Sequence, residues 1–151
     1  MAGYKGRSGL TGVAALSATL ALPLSLAAYA ADDVFEPGTK VTMPSGQDVT
    51  FLDVIKGVDS AQGSALRYRF VAPGIARDTG EVGFAEAEED MAMLCQDHIL
   101  PYLLEQDVEM PEQIIIVMSD RPVEFGVTNP DATQFFEAYR PEGNTCIWEG
   151  F

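Results

Sequence analysis

The run QIIIVM, Gln113 to Met118, constrains the fold more than any other stretch of the chain. Three isoleucines and a valine in succession favour an extended backbone, because a branched Cβ stiffens χ1 and packs well on a pleated surface. Successive strand side chains point to opposite faces, so an unbroken apolar run predicts an interior strand covered on both. The rest of the chain has to build a sheet around it.

Candidate neighbours lie on both sides. KVTM (Lys40–Met43) and VTFLDVI (Val49–Ile55) alternate polar and apolar residues around the turn-forming PSGQD. ALRYRFV (Ala65–Val71) is the clearest strand. Leu66, Tyr68 and Phe70 face one way and Arg67 and Arg69 the other, which predicts one buried face and one at least partly wet. Residues 32–38, DDVFEPG, read as a loose leader. Ahead of QIIIVM, Phe84, Ala87, Met91, Leu94, Cys95, His98 and Tyr102 recur at three- and four-residue steps, an amphipathic helix. Glu86, Glu88, Glu89 and Asp90 occupy its first turns and read as a solvated face that complements the helix dipole. Pro101 lacks a backbone donor and predicts a kink or the start of a short new turn near Leu100. Further on, Asn129 followed by Pro130 predicts the start of a second helix, with Phe135, Phe136 and Tyr139 towards the core. PEGN then turns into a last strand, Thr145 to Phe151. The order β-β-β-α-β-α-β gives an α+β class: a small mixed or mostly antiparallel sheet with two helices packed on one face and one disulfide.

The first 30 residues belong to a different problem. Lys5 and Arg7 precede an uncharged run from Leu10 to Leu22, Pro23 breaks it, and Ala28-Tyr29-Ala30 follows. A basic start, a short apolar core and an A-x-A site form a secretory signal peptide, with cleavage between Ala30 and Ala31. The expected organisation is a signal peptide over 1–30 and a single domain over 31–151, exported to the periplasm. After cleavage no stable membrane span is expected. The alternative is an inner-membrane anchor through residues 8–31, which carry no charge and are long enough to span a bilayer. An outer-membrane barrel ending on Phe151 is excluded: Glu149, Ile147 and Thr145 are no apolar series, and the strands are too few.

Removing the leader takes away Lys5 and Arg7 and no acid, so the formal charge moves from −14 to −16. Such a chain repels phosphates, which argues against nucleic acid and against anionic membrane surfaces. The 121 residues that remain of 151 suffice for one core.

The two cysteines, Cys95 and Cys146, read as a disulfide in an oxidising compartment. The chain-entropy model assigns such a loop about 4 kcal/mol. A rival set is Cys95, His98 and Cys146 as zinc ligands, because C-x-x-H places two donors on one helix face. His98 is the only histidine. With Ser119 and Asp120 at the end of QIIIVM it composes a Ser-His-Asp set on paper. However, adjacent strand residues point to opposite faces, and no G-x-S-x-G elbow is present. The local alternative has Ser119 or Asp120 bonding loop backbone and Arg121 pairing with a carboxylate. Phosphate-loop and dinucleotide spacings are absent, and no cofactor is expected.

The segments QIIIVMSDRPVEFG, QFFEAYR and the closing CIWEGF resemble a family of small exported alphaproteobacterial proteins catalogued as a domain of unknown function. The likeness covers roughly Val41 to Phe151. It implies a periplasmic setting and carries over no activity and no catalytic residue. Two functional expectations follow. The first is a non-enzymatic accessory, protein-interaction or small-ligand-binding module, with an envelope or periplasmic protein as partner. The second is a small periplasmic hydrolase using His98 with Asp120 or Ser119.

Overall fold

ALRYRFV and QIIIVM lie side by side at the centre of a six-stranded sheet. The computed structural model describes residues 35–57 and 64–150. The leader, its Ala30–Ala31 junction and Phe151 lie outside the described residues. The elements are β1 (Lys40–Thr42), β2 (Asp48–Lys56), β3 (Ala65–Val71), a 3₁₀ turn (Pro73–Ile75), α1 (Phe84–Met93), a π-helical segment (Leu94–Ile99), α2 (Leu100–Glu105), β4 (Gln113–Ser119), β5 (Gln134–Glu142) and β6 (Thr145–Trp148). The strand order is β1-β2-β3-β4-β5-β6. Only β3 and β4 pair in parallel; every other neighbour is antiparallel. A parallel pair needs a long crossover, and the helix from Phe84 to Glu105 is that crossover.

The helix covers one face of the sheet. Ala87, Met91, Leu94, Cys95, Ile99 and Leu103 pack with Val49, Phe51, Tyr68, Phe70, Ile114, Ile116, Met118 and Tyr139. Phe35, expected in a loose leader, is part of this core. Its ring meets Phe51, Tyr68 and Tyr102 at 5.4, 5.3 and 4.7 Å between centroids. Among the described residues, no helix is long and apolar enough to cross a membrane.

Two expectations are corrected. The second helix does not form. Asn129 Oδ1 accepts from the Asp131 N–H at 3.1 Å, a local turn, and Gln134–Glu142 is a strand. Among the described residues the order is therefore β-β-β-α-β-β-β, with a single helix layer. Residues four apart share a face in a helix and also in a strand, so the Phe135/Tyr139 spacing carries no distinction. Phe136 does: it points away from the core side and is 55% exposed. β4 needed a hydrogen-bonding partner on its second edge, and the aromatic segment fills that place.

Pro101 marks the expected break in the regular helix, with α2 starting at Leu100. It cannot donate to the turn before it, and the helix widens there into the π segment. Leu100 N–H bonds to Cys95 O, an i→i−5 link. Secondly, the acidic run is not wholly a solvated face. Asp90 is fully buried and accepts from Ser45 N–H (2.9 Å), Ser45 Oγ (2.6 Å) and Gln47 Nε2 (2.8 Å). A carboxylate without a cation is tolerable there because three donors surround it. It fastens the β1–β2 turn to the helix.

The opposite flank of the helix is fastened covalently. Cys95 and Cys146 form a disulfide across a separation of 51 residues, joining the π segment to β6. Gln96 reinforces the joint: Cys146 N–H donates to its Oε1 (3.0 Å), and its Nε2 donates to Asn144 O (2.9 Å).

Asp90→Ala leaves three donors without their acceptor and should cost about 2–3 kcal/mol in urea unfolding at neutral pH. A loss under about 0.5 kcal/mol, as at an ordinary surface position, would show that the anchor is not structural.

Candidate functional site

The apolar run in β4 asked for cover on two faces and receives one. Ile114, Ile116 and Met118 lie fully buried under the helix. Alternation sends Gln113, Ile115, Val117 and Ser119 to the other side. On that side the parallel register places Arg67 against Ile115 and Arg69 against Val117. The antiparallel register adds Phe136 opposite Val117 and Ala138 opposite Ile115. The segment after β4, including Val123, Phe125 and Val127, folds over part of this face. What remains is a groove of about 380 Å³, with Ile115, Val117 and Phe136 on its floor and Phe125 and Val127 in its lip.

A bulge in β2 builds the polar wall. Phe51 pairs with Phe70 but Asp53 pairs with Arg69, so Leu52 is an extra residue. From Val49 and Phe51, strict alternation would turn Asp53 into the core. The bulge instead re-aims it to the open face. Asp53 then holds Arg69 through a two-pronged carboxylate–guanidinium pair, with Nε to Oδ1 at 2.6 Å and Nη2 to Oδ2 as the second prong. The hydrogen bond that Arg69 donates to Asp53 raises the Arg69 pKa further. Arg69 Nη1 donates to Val123 O at 2.8 Å, which pins the covering segment. The Phe125 ring lies against both guanidinium groups, 5.3 Å from Arg67 Cζ and 5.7 Å from Arg69 Cζ. Arg67, half-buried, forms no ion pair among the described residues.

The residues singled out from the sequence lie elsewhere. Cys95 and Cys146 are bonded to each other, so neither thiolate is available as a ligand beside His98. Among the described residues no group of three or more His, Cys, Asp or Glu is placed to hold a metal ion. His98 stands in the π segment on the helix side, and burial lowers its pKa against the opposing pull of Asp97. Ser119 points to the face away from the helix and accepts from Gln134 Nε2 at 2.9 Å. The sheet separates the two. Asp120 is occupied locally: its side chain is 2% exposed, pairs with Arg121 at 3.0 Å and accepts from Thr133 N–H at 3.2 Å. These three residues do not assemble around a common cleft.

Sequence reasoning had seen Arg67 and Arg69 only as the wet side of a strand. Their partners across the sheet were beyond it. The signal that pointed to the groove was the surplus of apolar residues in β4 over what one helix can cover.

A family model matches residues 20–151. The chain belongs to DUF6497, a family of unknown function. No curated protein and no solved structure matches it significantly. Membership in the family therefore brings no activity, and the groove has to be read on its own chemistry.

Arg121 holds the Asp120 carboxyl below the ordinary carboxylate range, helped by the Thr133 N–H. A folded-state pKa below the unfolded one contributes stability that is present above about pH 4 and lost as pH falls through the folded value. Asp120→Asn removes that contribution. The stability gap between wild type and this variant should shrink between about pH 5 and about pH 2, followed by thermal melts. A gap constant over that range would refute the ion pair.

Proposed function

We propose that this is a non-enzymatic periplasmic module that binds a small ligand in the groove on the open face of the sheet. One observation carries the reading. The central strand presents Ile115 and Val117, only half-buried, beside the exposed rings of Phe136 and Phe125. Clustered apolar side chains in a concave setting, next to a few oriented polar groups, are the usual make-up of a small-molecule site. The groove's volume of about 380 Å³ is within the common range for such sites, roughly 300–1,000 Å³. The floor is rigid, since it belongs to paired strands whose other face is core. The hydrolase alternative has less support, because His98 and Ser119 stand on opposite sides of the sheet.

Nile red, an uncharged apolar dye, should brighten on binding the wild-type protein. Val117→Glu places a charge on the floor and should cut the enhancement several-fold while leaving the far-UV circular dichroism unchanged. Phe136→Ser, at an exposed position, should weaken it as well. A wild-type protein that leaves the dye dark would overturn the binding reading.

The periplasmic setting rests on the tripartite leader and agrees with a disulfide, which persists in oxidising compartments. The intact mass from a periplasmic fraction should begin at Ala31, with Cys95 and Cys146 refractory to alkylation until reduction. A mass retaining Met1 to Ala30 would make the protein membrane-anchored instead.

A further inference from the structure

We infer that the ligand is an amphiphilic monocarboxylate whose anionic head is met by Arg67 while its apolar body lies over Ile115, Val117 and Phe136. The inference rests on the binding reading above and names the chemistry of the occupant.

The first support is charge. The chain carries 23 Asp and Glu against 9 Lys and Arg, so arginines have carboxylates in excess to pair with. Arg69, Arg121 and Arg140 each do so. Among the described residues Arg67 and Arg77 form no ion pair, and of these two only Arg67 lines the groove. Its neighbour Arg69 is already engaged by Asp53 and Val123 O. The groove wall thus carries one positive charge that no described side chain neutralises.

Arrangement is the second support. Arg67 Cζ stands over the Phe125 ring, 5.3 Å from its centroid. A cation–π contact engages the charge of the guanidinium and supplies no acceptor for its N–H donors, which stay available. Those donors form a planar fork that fits a carboxylate in two-point contact. Phe125 itself is held near β3 because Arg69 pins Val123 in the same segment. The cation is thus positioned before a ligand arrives, which lowers the ordering cost of binding. Directly across the strand pairing lies Ile115, so the site passes from charged to apolar within one register step. Glu124 is the one carboxylate among the lining residues. It opposes an anion and weakens the site without occupying Arg67.

The experiment displaces Nile red from the full exported protein with decanoate or decan-1-ol, two probes that share a chain length and differ in head charge. In wild type, decanoate should displace the dye at roughly tenfold lower concentration than decanol, the margin expected of a charge-assisted contact. Arg67→Gln should close that gap while Nile red itself still binds. Arg67→Lys, which keeps the charge and loses the fork, should restore only part of it. Glu124→Gln should widen the gap. Arg121→Gln removes an arginine outside the groove and should leave the gap as it was. Equal displacement by the two probes, or a gap that survives Arg67→Gln, would overturn the carboxylate assignment and leave the groove standing. Failure of Nile red to bind any form would remove the groove itself, so the two failures are distinct.

Discussion

The parallel pairing of β3 and β4 is the constraint on which the rest depends. Parallel neighbours force the chain to travel back along the sheet, and the amphipathic segment from Phe84 to Glu105 makes that return as a helix. One helix covers one face. Ile114, Ile116 and Met118 then become core, and the same pleat sends Ile115 and Val117 the other way. The helix is fixed at both flanks by unlike means. Asp90 gathers three hydrogen bonds from the β1–β2 turn, and Cys95 is bonded to the edge strand β6. An element held at both sides and packed along its length leaves little freedom to swing over to the open face.

The open face has its own chain of dependence. An extra residue at Leu52 turns Asp53 out of the core. Asp53 holds Arg69, Arg69 holds the backbone at Val123, and the segment so held brings Phe125 against Arg67. The Asp53–Arg69 and Arg69–Val123 links are charge-assisted hydrogen bonds, stronger than neutral ones, and the last link is a cation–π contact. A one-residue irregularity in β2 therefore reaches the lip of the groove three contacts away. The lip is partial, and it leaves Ile115 and Val117 half-buried.

The separation of His98 from Ser119 follows from the same geometry. Residues close in a list of reactive types can be split by a sheet, because a strand delivers alternate side chains to opposite solvents. Asp120 ends the strand tied to Arg121 and Thr133, so its chemistry is that of a loop clamp.

Periodicity and composition determined much on their own. The ALRYRFV alternation, the helix stripe through Met91 and Cys95, the strand at β4 and the disulfide partners were all legible, because each depends on local spacing or on a pair with one available connectivity. Cover on both faces of β4 was not, since among the described residues only one helix packs on the sheet. The segment at Gln134–Tyr139 was not legible, since a four-residue aromatic spacing satisfies helix and strand alike, and only the free edge of β4 decided between them. Phe35 read as part of a loose leader and Asp90 as part of a solvated face, because a sequence does not show which distant groups will close around a side chain. The tertiary structure alone placed Arg67 beside Ile115 and left it without a carboxylate partner among the described residues. That outcome rests on strand register and on the Leu52 bulge, which couple residues tens of positions apart and leave no mark in local pattern.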